Sequence, residues 1–171
     1  MTGPKDDRRA RILARLTALL PTLNITLSTG VIPAENFVHN RNELPAGKVP
    51  GIILLDADEV KDPRALRQEP GRQLPPGCQV MRMTPEIYVV LDVRKGAKQN
   101  ENVGEDVGLA RAAIISAVFA DQALQDICGS NGEIVYDGLV SDLARNRTMQ
   151  GQLGLSFTFA YPLFAENLAS I

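Results

Sequence analysis

Between Met149 and Tyr161 the chain reads MQGQLGLSFTFAY, with Gln, Gly, Ser, Thr or Ala separating apolar residues at nearly every second position. Side chains alternate across a β-strand, so this stretch is predicted to be two-faced. Met149, Leu153, Leu155, Phe157, Phe159 and Tyr161 would enter a core together. Gln150, Gln152, Gly154, Ser156, Thr158 and Ala160 would form a small, uncharged second face, turned to solvent or to a neighbouring subunit.

The rest of the chain must supply what this strand packs against. In KDDRRARILARLTALLP, the spacing of Ile12, Leu13, Leu16, Leu19 and Leu20 predicts an amphipathic helix ending before Pro21, with Arg8, Arg11 and Arg15 on its other face. NITLSTGV alternates as a strand should, Ile25, Leu27 and Thr29 against Asn24, Thr26 and Ser28. The segment from Pro33 to Pro50 is expected to be loop. GIILLDAD has the continuous apolar run of a strand buried on both faces. The prolines and glycines of residues 61–80 forbid a regular element through most of that segment, giving a second long loop. PEIYVVLDVRKG reads as a strand through the middle of a sheet.

GEDVGLARAAIISAVFADQALQDICG is predicted as one helix. Glu105 and Asp106 stand at the favourable end of its dipole, Val107, Ala110, Ile114 and Val118 form its apolar stripe, and Gly129 its C-cap. GEIVYDGLV and the stretch from Met149 complete the sheet, joined through SDLARNRT. The order predicts a single α+β domain over residues 1–171, with long loops at about 33–50 and 61–80, and a largely antiparallel sheet with two main helices packed on one face.

A formal net charge of -2 argues against a protein built to neutralise phosphates. Cys78 and Cys128 are far apart with no metal-ligand spacing, and no apolar leader opens the chain, so two free thiols in a reducing cytoplasm are expected. No run reaches the length of a membrane-spanning helix, so no membrane partner is expected.

The search for chemistry returns little. His39 is the single histidine and falls in the expected Pro33–Pro50 loop, where nothing holds it as a base; an exposed loop residue is the expectation. DADEVKD opens like a calcium loop but has Val60 and Lys61 where a ligand and Gly are needed, so Asp56, Asp58, Glu59 and Asp62 read as a solvated turn. AGKV lacks the first Gly and the Ser or Thr of a phosphate-binding loop, and GEDVG lacks the dinucleotide spacing. Asp137 and Asp142 are expected to be polar residues beside a turn. Arg94, Lys95 and Lys98, with Arg145 and Arg147, are the basic clusters of the second half. They flank strands, either as a solvated rim or as a charged surface offered to an acidic partner or to passing nucleic acid.

PEIYVVLDVR ahead of an alanine-rich helix, followed by IVYDGLVSDLARNRTMQGQLGLSFTFAYPL, resembles the tail terminator proteins of long-tailed bacteriophages, over about Ile12 to Leu163. The resemblance implies a structural virion protein of the phage tail, assembled in the host cytoplasm, that forms a hexameric ring on the last ring of the tail tube. The ring ends polymerisation and presents the surface for head joining. Copies of itself, the tail tube protein and neck or head-completion proteins would be its partners, and DNA would only pass through the lumen. No catalysis, cofactor or metal is implied. Gln150, Gln152, Ser156 and Thr158 would face a subunit or the lumen, the five basic residues would face partners, and the loops Glu35–Pro50 and Lys61–Gln79 would grip tube or head. Two other readings stand beside it: a neck or head-completion protein of the same virion, and a small cytoplasmic ligand-binding or enzymatic α+β domain with its pocket under the 61–79 loop.

Overall fold

The computed structural model describes residues 6–63, 76–92, 103–129, 132–141 and 150–168. Helix α1, Arg8–Leu19, begins where the Asp7 side chain accepts a hydrogen bond from the Ala10 N–H, 3.0 Å, which satisfies one of the free donors of the first turn. It buries Ile12, Leu13 and Leu16. The helix passes into a 3-10 turn, Leu20–Thr22, with Pro21 in its first residues, a position where proline's missing N–H costs nothing.

The strand expected from Asn24 folds back on itself instead. Thr26–Leu27 (β1) and Gly30–Val31 (β2) form a two-stranded hairpin. The turn is held from outside, because the Asp106 carboxylate accepts from the Ser28 N–H, 2.6 Å, and from its hydroxyl, 2.8 Å. Gly30 at φ +129° then reverses the chain where a side chain would strain it.

The main sheet has seven strands: β3 Phe37–His39, β4 Gly51–Leu55, β5 Glu59–Lys61, β6 Cys78–Met83, β7 Glu86–Asp92, β8 Glu133–Ser141 and β9 Gln150–Phe164. β3 lies inside the stretch expected to be loop and pairs parallel with β4. The start of β6 likewise replaces the last residues of the expected 61–80 loop, and the middle of that loop lies outside the described residues. Three residues of strand carry no periodicity that a sequence can show; β3 exists because β4 offers it an edge.

The seven segments fall into longer rows. β6 and β7 run along one edge of β9 in a single unbroken register, from Cys78 opposite Phe164, through Met83 opposite Phe159 and Glu86 opposite Ser156, to Asp92 opposite Gln150. Only Thr84 and Pro85 interrupt them, and proline has no N–H to give a ladder. β8 takes the other edge of β9, antiparallel throughout. β4 and β5 flank β7 and β6 on the far side. The long strand expected at the end of the chain is therefore the middle of the sheet. Apart from β3, every pairing is antiparallel.

Helix α2, Val103–Ala120, and helix α3, Gln122–Cys128, replace the single helix expected to reach Gly129. The axis bends by 57° between them. Asp121 causes the break: its carboxylate caps α3 by accepting from Leu124 N–H, 2.9 Å, and receives the Arg15 guanidinium at 2.6–3.1 Å. Gly129 does cap α3, at φ +72°. A short helix α4, Ala165–Leu168, follows β9. Buried residues of α1, α2 and α3 share one core with Ile52, Leu54, Ile87, Val89 and the apolar face of β9. At its centre Phe157 is fully buried, its ring 5.3 Å from that of Tyr136 and 6.3 Å from that of Phe119. The fold is α+β, with the helices on one face of the sheet.

Two outcomes follow for stability. Phe157→Ala removes a buried aromatic from this centre and should cost about 3–5 kcal/mol in equilibrium urea unfolding. The hydrogen bonds from Arg15 hold the Asp121 carboxyl below the ordinary carboxylate range, against the opposing effect of burial. A carboxyl depressed by folding contributes stability that is present above its unfolded pKa, about 4, and lost as pH falls through its folded value. Asp121→Asn should therefore lower stability at pH 7 and show a shallower loss of stability than the parent below about pH 4.

Candidate subunit-facing sheet surface

β9 puts its expected small face on the side of the sheet opposite α1, α2 and α3, and that face is divided in two. Gln152, Gly154 and Ser156 are half-buried, whereas Thr158 and Ala160 are buried at 7% and 1% exposure. Gln150 opens the strand opposite Asp92, its side chain outside the described residues. The half from Gln152 to Ser156 is the more exposed, although Val90, opposite Gln152, is buried. The other half is occupied by its own chain.

Thr158 is where the occupation is chemical. Its hydroxyl donates to Asp137 Oδ2, 2.5 Å, and lies 3.0 Å from the Thr84 hydroxyl. Both contacts come from irregularities at one level of the sheet. On one edge of β9, Thr84 stands at the Thr84–Pro85 interruption; on the other, β8 shifts register between Tyr136 and Gly138, leaving Asp137 as the extra residue of a bulge. Thr158 ties the two together, so it is a structural residue of the monomer and not the open interface position expected of it. Asp137 lies at this bulge, not beside a turn, and Asp142 falls outside the described residues. The signals in the sequence were the MTPE and DG pairs, a proline and a glycine each breaking an alternating run.

On the open half, the Tyr88 ring lies over Gly154, where an added Cβ would stand 2.9 Å from Tyr88 Cε1. Glycine is needed there for the ring to lie flat. The Tyr88 hydroxyl donates to the Glu86 carboxylate, and this hydrogen bond, aided by burial, pushes its ionisation up to about 12. The ring is a neutral plate on the open surface. Val140 of β8, opposite Gly154, is 77% exposed, and Val60 of β5 is 46% exposed on the same side.

The basic residues Arg94, Lys95, Lys98, Arg145 and Arg147 lie outside the described residues. The strand ends that lead to them are neighbours: Asp92 pairs with Gln150, and Ser141 with Leu153. Both segments thus leave the described sheet from one end.

Other polar groups form structural pairs. His39 is on β3 and not on an exposed loop: its Nε2 is 2.5 Å from Asp56 Oδ1, and Asn40 bridges back to Asp56 through its side-chain amide and to the Asp56 N–H. Burial pushes the Asp56 carboxyl up, but the hydrogen bonds from Asn40 and His39 outweigh it and hold the group low. No hydroxyl or thiol contacts His39 among the described residues. The acidic cluster is not a wholly solvated turn, since Asp62 is 3% exposed and Glu59 is half-buried in β5. Cys128 is buried and its thiol is pushed up to about 12 by that burial, and Cys78 is half-buried; both are free thiols. No three His, Cys, Asp or Glu side chains among the described residues are grouped to hold a metal.

A cleft of about 270 Å³ lies between the β1–β2 hairpin and the segment around Pro50, lined by Leu27, Val31, Pro33, Asn36, Leu91 and Asp106 among others. Asp106, the one carboxylate among its described lining residues, is committed to Ser28 through both oxygens. No single described helix is long and apolar enough to cross a membrane. No protein-family model matches the chain, and no curated protein matches it.

Proposed function

We propose that this chain is a structural protein of a long-tailed phage virion, a tail terminator that assembles as a ring, with six copies the expected number, on the end of the tail tube. The observation that supports the reading is the small face of β9: helices cover the other side, while Gln152, Gly154, Ser156 and the Tyr88 ring are half-exposed on this one, beside Ile53, Val90 and Ala160, which are buried. The small, uncharged side chains of Gly154 and Ser156 let another backbone approach closely, with Glu86 and Asp137 at their flank. Ring formation also needs each copy to present two different complementary surfaces, a closed heterologous arrangement. The ring would stop tube growth, leave a lumen for DNA and present its other rim to neck or head-completion proteins.

A neck or head-completion protein would use the same sheet face, and partner identity separates the two readings. The cleft around Asp106 supports a small ligand-binding domain less well, because its buried polar groups already have partners within the chain.

Ser156→Arg should leave urea stability within about 0.5 kcal/mol, as substitutions at accessible positions do, yet abolish rings in electron microscopy and light scattering with or without tail tubes. Thr158→Arg, in contrast, should unfold the monomer, because it breaks the contacts to Asp137 and Thr84 within a buried site. A Ser156→Arg protein that still caps tubes as rings would remove the sheet face from the assembly and the reading with it.

A further inference from the structure

At one level of the main sheet both edges lack a neighbour among the described residues: β3 pairs only with β4, and β8 only with β9. Between them the register runs straight across. Val38, Ile53, Tyr88, Gly154 and Val140 form one row, and the rows on either side run from Phe37 to Ser141 and from His39 to Leu139. An uncovered edge offers its N–H and C=O groups to any extended chain, so proteins guard edges with charge, proline or a bulge. The guards of β8 are Glu133, Asp137 and the bulge at Asp137, all ahead of Leu139. Past them the edge is bare, and Val140 stands 77% exposed.

One hydrogen bond shows which groups face outward. Asn40 N–H donates to the Leu54 C=O, 2.8 Å, so Leu54 turns its groups toward β3 and Ile53, one residue back, toward β7. Carried across the register, Tyr88 faces β4, Leu153 and Leu155 face β7, and Gly154 exchanges its bonds with Val140. The bond from Asp62 N–H to the Val80 C=O, 3.0 Å, gives β9 the same alternation from the β5 side. The outward groups are therefore those of Phe37 and His39 on β3, and of Leu139 and Ser141 on β8.

We infer that these two edges are each other's partner: β3 of one copy pairs antiparallel with β8 of the next, Val38 opposite Val140, and the sheet continues from copy to copy. The inference rests on the ring reading and adds to it which surfaces meet and in what register.

Direction, hydrogen bonding and burial all favour a second copy as the occupant. β8 runs against β9, β9 against β7, β7 against β4, and β3 runs with β4. β3 thus runs opposite to β8, and copies rotated about an axis along the strands meet antiparallel with none inverted. With Val38 opposite Val140, Phe37 meets Ser141 and His39 meets Leu139, so the outward groups of one edge meet those of the other as hydrogen-bonded pairs. A slip of one residue would set outward groups against inward ones and reverse the faces. Val38 and Val140 share the face away from the helices. On the helix side, Phe37 and Leu139 are partly buried margins of the core, and pairing makes them diagonal neighbours, within reach of large side chains. Neither paired stretch carries a carboxylate, and His39 is held by Asp56 of its own chain. Glu133 and Asp137 lie outside the paired stretch of β8, and Asp142, just beyond it, lies outside the described residues.

Three residue pairs bury far less than the roughly 800 Å² per partner of a stable complex. A single contact is then weak, and ring closure or the tube end holds the copies together.

Within one chain Val38 and Val140 stand four strand spacings apart, about 19 Å, so a disulfide between these positions must join two chains. A non-hydrogen-bonded antiparallel pair, in contrast, brings side chains close enough for one. The test is the full-length Val38→Cys, Val140→Cys protein in a Cys78→Ser background, treated with a mild oxidant at high concentration and with tail tubes. Rings are scored separately on the unmodified protein. The expected result is a ladder of covalent multimers from the double-cysteine protein, collapsed by reductant, and its loss from either single-cysteine protein. On the unmodified protein, fast amide hydrogen exchange at Phe37, His39, Leu139 and Ser141 should be lost when rings form. Rings without a 38-to-140 bridge, bridges only between like positions, or rings whose four amides still exchange fast overturn the inference and leave the ring reading standing. The bridge in open chains that never close sustains the inference and overturns the ring. No association under either condition overturns both.

Discussion

A fifteen-residue strand carries a row of N–H and C=O groups along each edge, and burying it obliges the rest of the chain to pair both rows. In this protein that obligation organises everything else. β6 and β7 serve one edge as a nearly continuous strand, β8 serves the other, and the two must stay in step with β9 over its whole length. They do so by yielding at the same level, with a proline interruption on one side and a bulge on the other. Thr158 hydrogen-bonds into both irregular sites. A bulge increases local twist, and the paired irregularities place that twist at the level of Thr158.

The helical layer is attached to this sheet by two kinds of contact of unequal weight. Apolar burial supplies most of the driving force, with Ile12, Leu16, Ile114, Val118 and Leu124 all fully enclosed against β9 and its neighbours. Directional contacts then choose among ways of stacking the helices. Arg15 meets Asp121 at the α2–α3 corner, Arg8 donates to the Ile127 carbonyl, 2.9 Å, and Arg9 to the Ala57 carbonyl, 2.9 Å. Arg8 and Arg15, which sequence periodicity places on the outer side of α1, are thus partly spent on holding α3, and Arg9 holds the β4–β5 corner. A long side chain with several donors can reach across a helix boundary in this way.

Elements with an internal period were legible in the sequence: α1, the apolar faces of β4, β7 and β9, and the stripe of α2 follow from which residues recur at two or at three and four. What was not legible depends on partners distant in the chain. Asp106, 78 residues from Ser28, turns an apparent strand into a hairpin; Asp121 needs Arg15 to make a corner out of a helix that reads as continuous. β3 is three residues long and exists only beside β4. For the candidate site, periodicity identified the face of β9 turned away from the helices but could not tell Ser156, which is half-exposed, from Thr158, which is closed by Asp137 and Thr84. That distinction lies in neighbouring strands and in register, and neither is written locally. The proposed phage-tail role rests on a likeness of sequence pattern and on the small face of β9.

One-sidedness is informative because of what α2 is made of. An ordinary open-faced α+β domain keeps its exposed helix surface charged, which prevents copies from stacking. Here the exposed side of α2 is small and apolar over its second half, and the side of the sheet away from the helices has half-buried Gly154, Ser156 and a neutral Tyr88 ring beside the exposed Val140. Two identical faces brought together would close a pair and stop. Two different faces on opposite sides propagate from copy to copy, and the angle between them decides whether the series closes. For the ring proposed above, the angle between such faces would follow from the twist of the sheet, and the bulge and the proline break that flank Thr158 act on that twist.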